Sequence, residues 1–147
     1  MVAIQYPEPA FRIKKQEGRE YIFDGQRRKW LLLTPEEWVR QNFVQYLVRV
    51  KKYPAAFIAL EKEIFLGELK KRFDILVYDR EHKPWMMIEC KGMDVSLDDE
   101  VLSQVLRYNI SVPVPYLVIT NGSYCFAASR KNGKLESLGE IPAFSGI

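Results

Sequence analysis

"RFDILVYDREHKPWMMIECKG", residues 72–92, contains two apolar runs around a polar turn, and its few charged positions govern how the chain is read. The runs 72–79 and 85–91 are rich in residues that suit a pleated sheet, and "REHKP" between them is turn-like. They predict an antiparallel hairpin. An even-length loop centred between Glu81 and His82 sets Asp79 against Pro84, Tyr78 against Trp85, Leu76 against Met87 and Asp74 against Glu89. The other face then joins Val77 to Met86, Ile75 to Ile88 and Phe73 to Cys90. Both faces are apolar near the turn, the pattern of central strands covered on two sides. Asp74, Glu89 and Lys91 break that pattern, all on one face and at one end.

Opposed residues on paired strands have their Cβ atoms about 4.5–5.5 Å apart, and like charges there repel. Two carboxylates half-withdrawn from water therefore call for positive charge between them. Lys91 supplies some. A divalent cation would supply the rest, and hard cations such as Mg²⁺ select carboxylate and carbonyl oxygens. The competing reading is an ion pair between Lys91 and one acid, with the second acid turned to solvent. Glu89 and Lys91 also stand at the carboxyl end of their strand, where open α/β sheets hold ligands.

Working outward, "FIALEKEIF" (57–65) predicts a strand before the hairpin, with Glu61 and Glu63 sharing a face. "SLDDEVLSQVLRYN" (96–109) predicts a helix capped by Ser96, with Leu97, Val101, Val105 and Tyr108 along its apolar stripe. "YLVIT" (116–120) is a continuous apolar strand, and Asn121-Gly122 turns it into "SYCFAA" (123–128). The stretch from residue 91 through a helix to residue 116 has the length of a parallel crossover. Upstream, "TPEEW" is a helix start: Thr34 caps, Pro35 takes the first position and Glu37 completes a capping box. Val39, Phe43, Leu47 and Val50 form the buried stripe, with Arg40, Arg49 and Lys51 outside it. "FRIKK", "EYIFDG" and "RKWLLL" form a small β layer, the last being a third strand or a lead-in to the helix. The expected organisation is one α/β domain over 1–147: an N-terminal β extension (1–33), a mixed sheet with helices on both faces (34–128) and a C-terminal tail (129–147).

The 147 residues suit a single core, with 48% hydrophobic and 28% charged residues. No apolar stretch approaches the roughly 18–20 residues of a membrane span, and the amino terminus does not resemble a secretory signal. Cys90 and Cys125 lie in apolar segments without metal-ligand spacing, which predicts buried free thiols in a reducing, cytoplasmic setting. His82 is the one histidine and falls in the hairpin turn. Zinc sites and serine triads fit poorly. The net charge of +3 does not demand a polyanion, although "QRRK", "KK", "KKR" and "RK" permit a nucleic-acid surface.

An acid on one strand and Glu-x-Lys on the next, within helix–three strands–helix–strand, resembles the PD-(D/E)XK nuclease superfamily. Glu-x-Lys alone is a weak signal. "LTPEEWVRQNF", "ALEKEI", "KRFDILVYD", "MMIECKG", "QVLRYN" and "YLVITNG" together resemble the amino-terminal nuclease domain of type I restriction enzyme R subunits, over nearly the whole chain, N-terminal layer included. The resemblance implies a restriction-endonuclease-like sheet and metal-dependent hydrolysis of DNA. It implies that Asp74, Glu89 and the backbone carbonyl of Cys90 bind Mg²⁺, with Mn²⁺ as substitute; Glu61, alternating with Glu63 on its strand, is read either as an extra ligand or as a solvated edge residue. Lys91 would position water and stabilise charge at the phosphate. Gln104 and Tyr108 match a Gln-xxx-Tyr element, with Gln104 near the metal; by periodicity Tyr108 is a core residue. Other restriction subunits and a second copy of the chain are the implied partners, and membrane is not. Phe73 replaces the proline that often precedes the first acid, and a phosphate-binding GxxxxGK[ST] loop is missing. The alternative is a silent nucleic-acid-binding or complex-forming module on the same fold.

Overall fold

The computed structural model describes residues 1–6 and 10–144, together with the backbone but not the side chain of Leu66. The chain forms β1 (Val2–Ala3), β2 (Ile13–Gln16), β3 (Arg19–Asp24), β4 (Lys29–Leu32), α1 (Pro35–Gln45), β5 (Ile58–Leu66), β6 (Leu69–Tyr78), β7 (Pro84–Cys90), α2 (Asp99–Asn109), β8 (Tyr116–Thr120), β9 (Tyr124–Lys131) and β10 (Lys134–Leu138). The main sheet runs β1-β9-β8-β7-β6-β5, with β10 added on β9, while β2-β3-β4 make a separate sheet. β7 and β8 are parallel across the α2 crossover, and β5, β6 and β7 form an antiparallel meander, as the apolar runs predict. "RKWLLL" contributes a third strand. The first residues depart from the expected layer: Val2 and Ala3 pair with β9 in the main sheet. Beyond residue 128, read as tail, β9 runs on to Lys131 and pairs with β10, while residues 145–147 lie outside the described set.

Two apolar layers sandwich the sheet. Val39 and Phe43 of α1, with Leu47 just beyond it, pack on Ile75, Val77, Met86 and Ile88, while Leu97 and Val105 pack on Leu76, Met87, Leu117 and Ile119. Burying whole side chains of this size stabilises by about 1.5–3 kcal/mol each. Val50, placed on the stripe by spacing, is 45% exposed. The reason is local: residues 46–50 widen into a π-helical turn, which rotates the last positions off the α-helical face. Both cysteines are buried free thiols. Among the described residues no helix is long and apolar enough to cross a membrane.

The hairpin register follows the expectation at Ile75↔Ile88, Leu76↔Met87 and Val77↔Met86, then shifts so that Tyr78 meets Pro84 instead of Trp85. The loop is odd in length because Asp79 organises it. Its Oδ1 accepts from the N–H groups of Glu81 and Lys83, and His82 takes a left-handed backbone at φ 61°. Thr34 caps α1 through the Glu37 N–H. The cap of α2 is Asp98, which accepts from the Val101 N–H, and not Ser96. Asp98→Ala should therefore cost about 1 kcal/mol in urea unfolding, and Ser96→Ala close to nothing. Equal costs would return the helix start to Ser96.

Candidate active site

β6 and β7 part company at Asp74. The last pair of their ladder is Ile75 with Ile88, so the expected backbone pairing of Phe73 with Cys90 is absent. Instead the Cys90 N–H donates to Asp74 Oδ2 at 2.8 Å. The alternation of faces also breaks here. Phe73 packs in the α2 layer with Leu76, whereas Ile75 and Val77 pack in the α1 layer. Asp74 thus sits at the rim of the split, able to meet groups from both layers.

On the other side, Glu61 stands opposite Asp74 between the pairs Leu60↔Ile75 and Lys62↔Phe73, with φ at 50°. A left-handed residue within a strand costs on the order of 1–3 kcal/mol and needs surroundings that hold it. Arg40 and Arg72 do so, the first at 2.9 Å and the second in a closer ion pair. Three neighbouring strands therefore each offer one acid to the rim: Glu61, Asp74 and Glu89.

The cation among these acids is Arg40. Its Nη2 lies 2.9 Å from Asp74 Oδ1, 2.9 Å from Glu61 Oε1 and 3.1 Å from Glu36 Oε1, and its Nη1 lies 2.7 Å from Glu37 Oε1. Burial works against its charge, but Glu37, then Asp74 and Glu61, more than offset that, so its pKa rises above the ordinary value. Glu37 is buried and accepts from Arg27, Arg40 and Gln41 as well. Its carboxylate is thus committed to this network, while its N–H alone serves the helix cap. The expectation that Arg40 lies outside the buried face was wrong: its side chain is 4% exposed. The signal was present, since Arg40 follows Glu36 and Glu37 by four and three residues and precedes Phe43 by three.

Glu89 shows what happens where the cation does not reach. Burial first, then the charge of Asp74 and a hydrogen bond to it, push its pKa from 4.5 to about 8, while Lys91 pulls the other way. Burial and the neighbouring carboxylate thus favour the protonated form of Glu89. Lys91 closes no ion pair among the described residues, so the competing reading, a Lys91–acid bridge, is filled by Arg40 instead. Glu89, Lys91, Gln104 and Tyr108 line one cleft of about 270 Å³. Glu89, Lys91 and Gln104 thus lie around one cleft, and Asp74 stands next to Glu89. Tyr108, expected in the core, is 58% exposed. Lys71, read within "KKR" as part of a basic surface, is instead buried beneath it, with Nζ 3.0 Å from the Tyr108 carbonyl oxygen and 3.3 Å from its ring centroid. That ammonium sits at the carbonyl end of α2, where positive charge is favoured. Cys90 is fully buried, and burial followed by Asp74 holds its thiol protonated, so sulfur chemistry has no part here.

Whether these residues suit a metal turns on their chemistry. Among the described residues no group of three or more ligand-type side chains is arranged around a common point. Asp74 and Glu89 nonetheless form a pair of adjoining hard oxygen donors, Asp74 met by Arg40 and Glu89 without an ion pair among the described residues, and such a pair fits a divalent ion. Glu61 is already engaged by two arginines.

An α/β domain that gathers acids and a lysine where two central strands separate has the layout of a ligand site at a sheet rim. More narrowly, the chain belongs to the family of the type I restriction enzyme R protein N terminus (HSDR_N), whose model matches residues 35–142. The match begins at α1, so β2–β4 lie outside it, contrary to the wider extent expected. No curated protein matches the chain.

Two outcomes follow from the charges. The folded chain holds the Glu89 proton more tightly than the unfolded chain, so this group's stabilisation is complete below about pH 4.5 and is lost as pH rises through about 8. Thermal melting without metal should fall across that window, and Glu89→Gln should flatten the fall. An unchanged slope in Glu89→Gln would place the proton elsewhere. Removing Arg40 strands buried carboxylates, so Arg40→Gln should cost about 3 kcal/mol or more in urea unfolding. Lys91→Ala should stay within about 1 kcal/mol.

Proposed function

We propose that the chain is a metal-dependent endonuclease hydrolysing phosphodiester bonds in DNA, on the PD-(D/E)XK pattern and within a restriction system. The observation that carries this reading is the cleft itself: Glu89, Lys91 and Gln104 line it together, Asp74 stands beside Glu89, and Lys91 closes no ion pair among the described residues. Membership of the restriction R-protein family supports the substrate class.

Asp74 and Glu89 would hold Mg²⁺, or Mn²⁺ in its place, with the backbone carbonyl of Cys90 as a further oxygen. When bound, the ion polarises a phosphoryl oxygen and lowers the pKa of coordinated water. The chain's own groups do the rest. Glu89 would serve as a ligand in its ionised form, its proton passing to solvent. Lys91, in the cleft lining, would place its ammonium beside the developing phosphate charge. Gln104, across the cleft, orients the attacking water or a phosphate oxygen through its amide. Arg40 acts behind Asp74: by holding Oδ1 while the Cys90 N–H holds Oδ2, it fixes the carboxylate's plane. Glu61 serves as the counter-charge that steadies Arg40.

Purified chain with Mg²⁺ or Mn²⁺ should nick or linearise supercoiled plasmid. Asp74→Ala and Lys91→Ala should each lower that rate by about 10²-fold or more, the loss typical of a preorganised charge. Cutting that persists in both variants would assign the activity to another source. Salt-sensitive DNA binding with neither cutting nor Mg²⁺ affinity would make the domain a silent binding module.

A further inference from the structure

The β2-β3-β4 sheet sorts its charges by face. Opposed residues on paired strands share a face. The pairs Lys14↔Tyr21, Gln16↔Arg19, Phe23↔Trp30 and Tyr21↔Leu32 therefore define one side, and Lys15↔Glu20, Ile13↔Ile22, Ile22↔Leu31 and Asp24↔Lys29 define the other. Arg12, whose carbonyl accepts from the Phe23 N–H, joins the first side. Ile22 and Asp24 are buried, so the second side is the one turned inward. The strand acids Glu20 and Asp24 both fall on that inner side, and Glu17 sits in the hairpin turn. The outer side carries Arg12, Lys14 and Arg19, interleaved with Tyr21, Phe23 and Trp30, and no acid.

The cations there are held, not loose. The Arg12 guanidinium lies 4.8 Å from the Phe23 ring centroid and 5.3 Å from that of Trp30, and Lys14 Nζ lies 4.5 Å from Trp30. Phe23 and Trp30 brace each other edge to face at 5.3 Å. Cation–π contacts of this kind restrict long side chains that would otherwise lose entropy on binding. Because the cations lie over these rings, the surface offers N–H donors and not bare aromatic planes.

The sheet is also fixed to the candidate active site. Gln26, in the β3–β4 turn, donates to the carbonyls of Ala55 and Ile58, and Arg27 bridges Asp24 to Glu37. Leu31 and Leu32 of β4 line the same cavity as Glu36, Arg40 and Glu61. Leu32, on the acid-free face, thus borders the acidic cavity that holds Glu61 and Arg40.

We propose that the outer face of β2–β4 is a docking surface for the phosphate backbone of duplex DNA, read without regard to sequence through Arg12, Lys14 and Arg19. Charge complementarity carries the choice of occupant: a regular polyanion meets a face without acids, beside a cavity that would repel it unless neutralised. Neither the family match, which starts at residue 35, nor the proposed chemistry assigns this surface. It goes beyond that chemistry, and its test contains no metal, so failure to bind and failure to cut are separable.

Binding of a labelled duplex of about 20 base pairs, roughly two helical turns, would be followed by fluorescence anisotropy in EDTA across a salt series. Each phosphate contact contributes about 0.9 to the slope of log K against log salt. Arg12→Gln/Lys14→Gln/Arg19→Gln should weaken binding about tenfold or more at 0.1 M salt and reduce the slope by about 2–3. The same charge loss in Lys83→Gln/Lys131→Gln/Lys134→Gln should leave both nearly unchanged. Equal effects from the two triple variants, or an unaltered slope in the first, would overturn the proposal. So would tighter binding of single strands that depends on Trp30→Leu, since that would mean base stacking. Should the first triple variant melt early, Arg19→Glu alone, free of ring contacts, should still weaken binding.

Discussion

The architecture of the site depends on a substitution of one acceptor for another. Where the β6–β7 ladder would have continued, the side chain of Asp74 accepts the N–H that a strand carbonyl would normally take. A backbone donor left unpaired in a buried position costs about 1–3 kcal/mol, so the strands can separate here only because the carboxylate satisfies it. The split then opens the sheet to both apolar layers. Arg40 arrives from α1 on one side, and Glu89 with the α2 cleft lies on the other. Take the carboxylate away and there is no reason for the ladder to stop.

From that point a connected chain of ion pairs and hydrogen bonds crosses the domain. It runs from Asp24 and Arg27 in the small sheet, through Glu37 and Arg40 of α1, to Asp74 and on to β7. Buried ion pairs seldom improve on apolar packing, so stability alone gives little reason to keep so many. Fixing the plane of one carboxylate and the seating of one small sheet does. The network also separates two kinds of positive charge. Both terminal nitrogens of Arg40 are engaged by carboxylates, whereas Lys91 closes no ion pair among the described residues at the cleft.

Much of this was legible in the amino-acid order. The apolar runs of β6, β7 and β8 and the crossover length gave the sheet, and three charged residues at one end of a hairpin marked the site. Arg40 was missed because charge was taken as a sign of solvent, although its spacing from Glu36, Glu37 and Phe43 puts it beside the buried stripe. The turn was missed by one residue, since polar loops of four and five positions look alike until Asp79 is seen to fold back on Glu81 and Lys83. Ser96 and Asp98 are both good caps, and only the path of the backbone chooses between them. The left-handed Glu61 carries no signature in sequence at all, because its conformation is imposed by arginines from two other elements.

The parallel pairing of β7 with β8 has a kinetic side. Lys91 donates its N–H to the Thr120 carbonyl across the α2 crossover. Loop closures of this length slow folding. The three acids of the rim, by contrast, come from one antiparallel meander, β5 to β7, and the guanidinium among them comes from α1. Like charges are thus gathered by near neighbours in sequence, while the charge that offsets them is a longer-range contact.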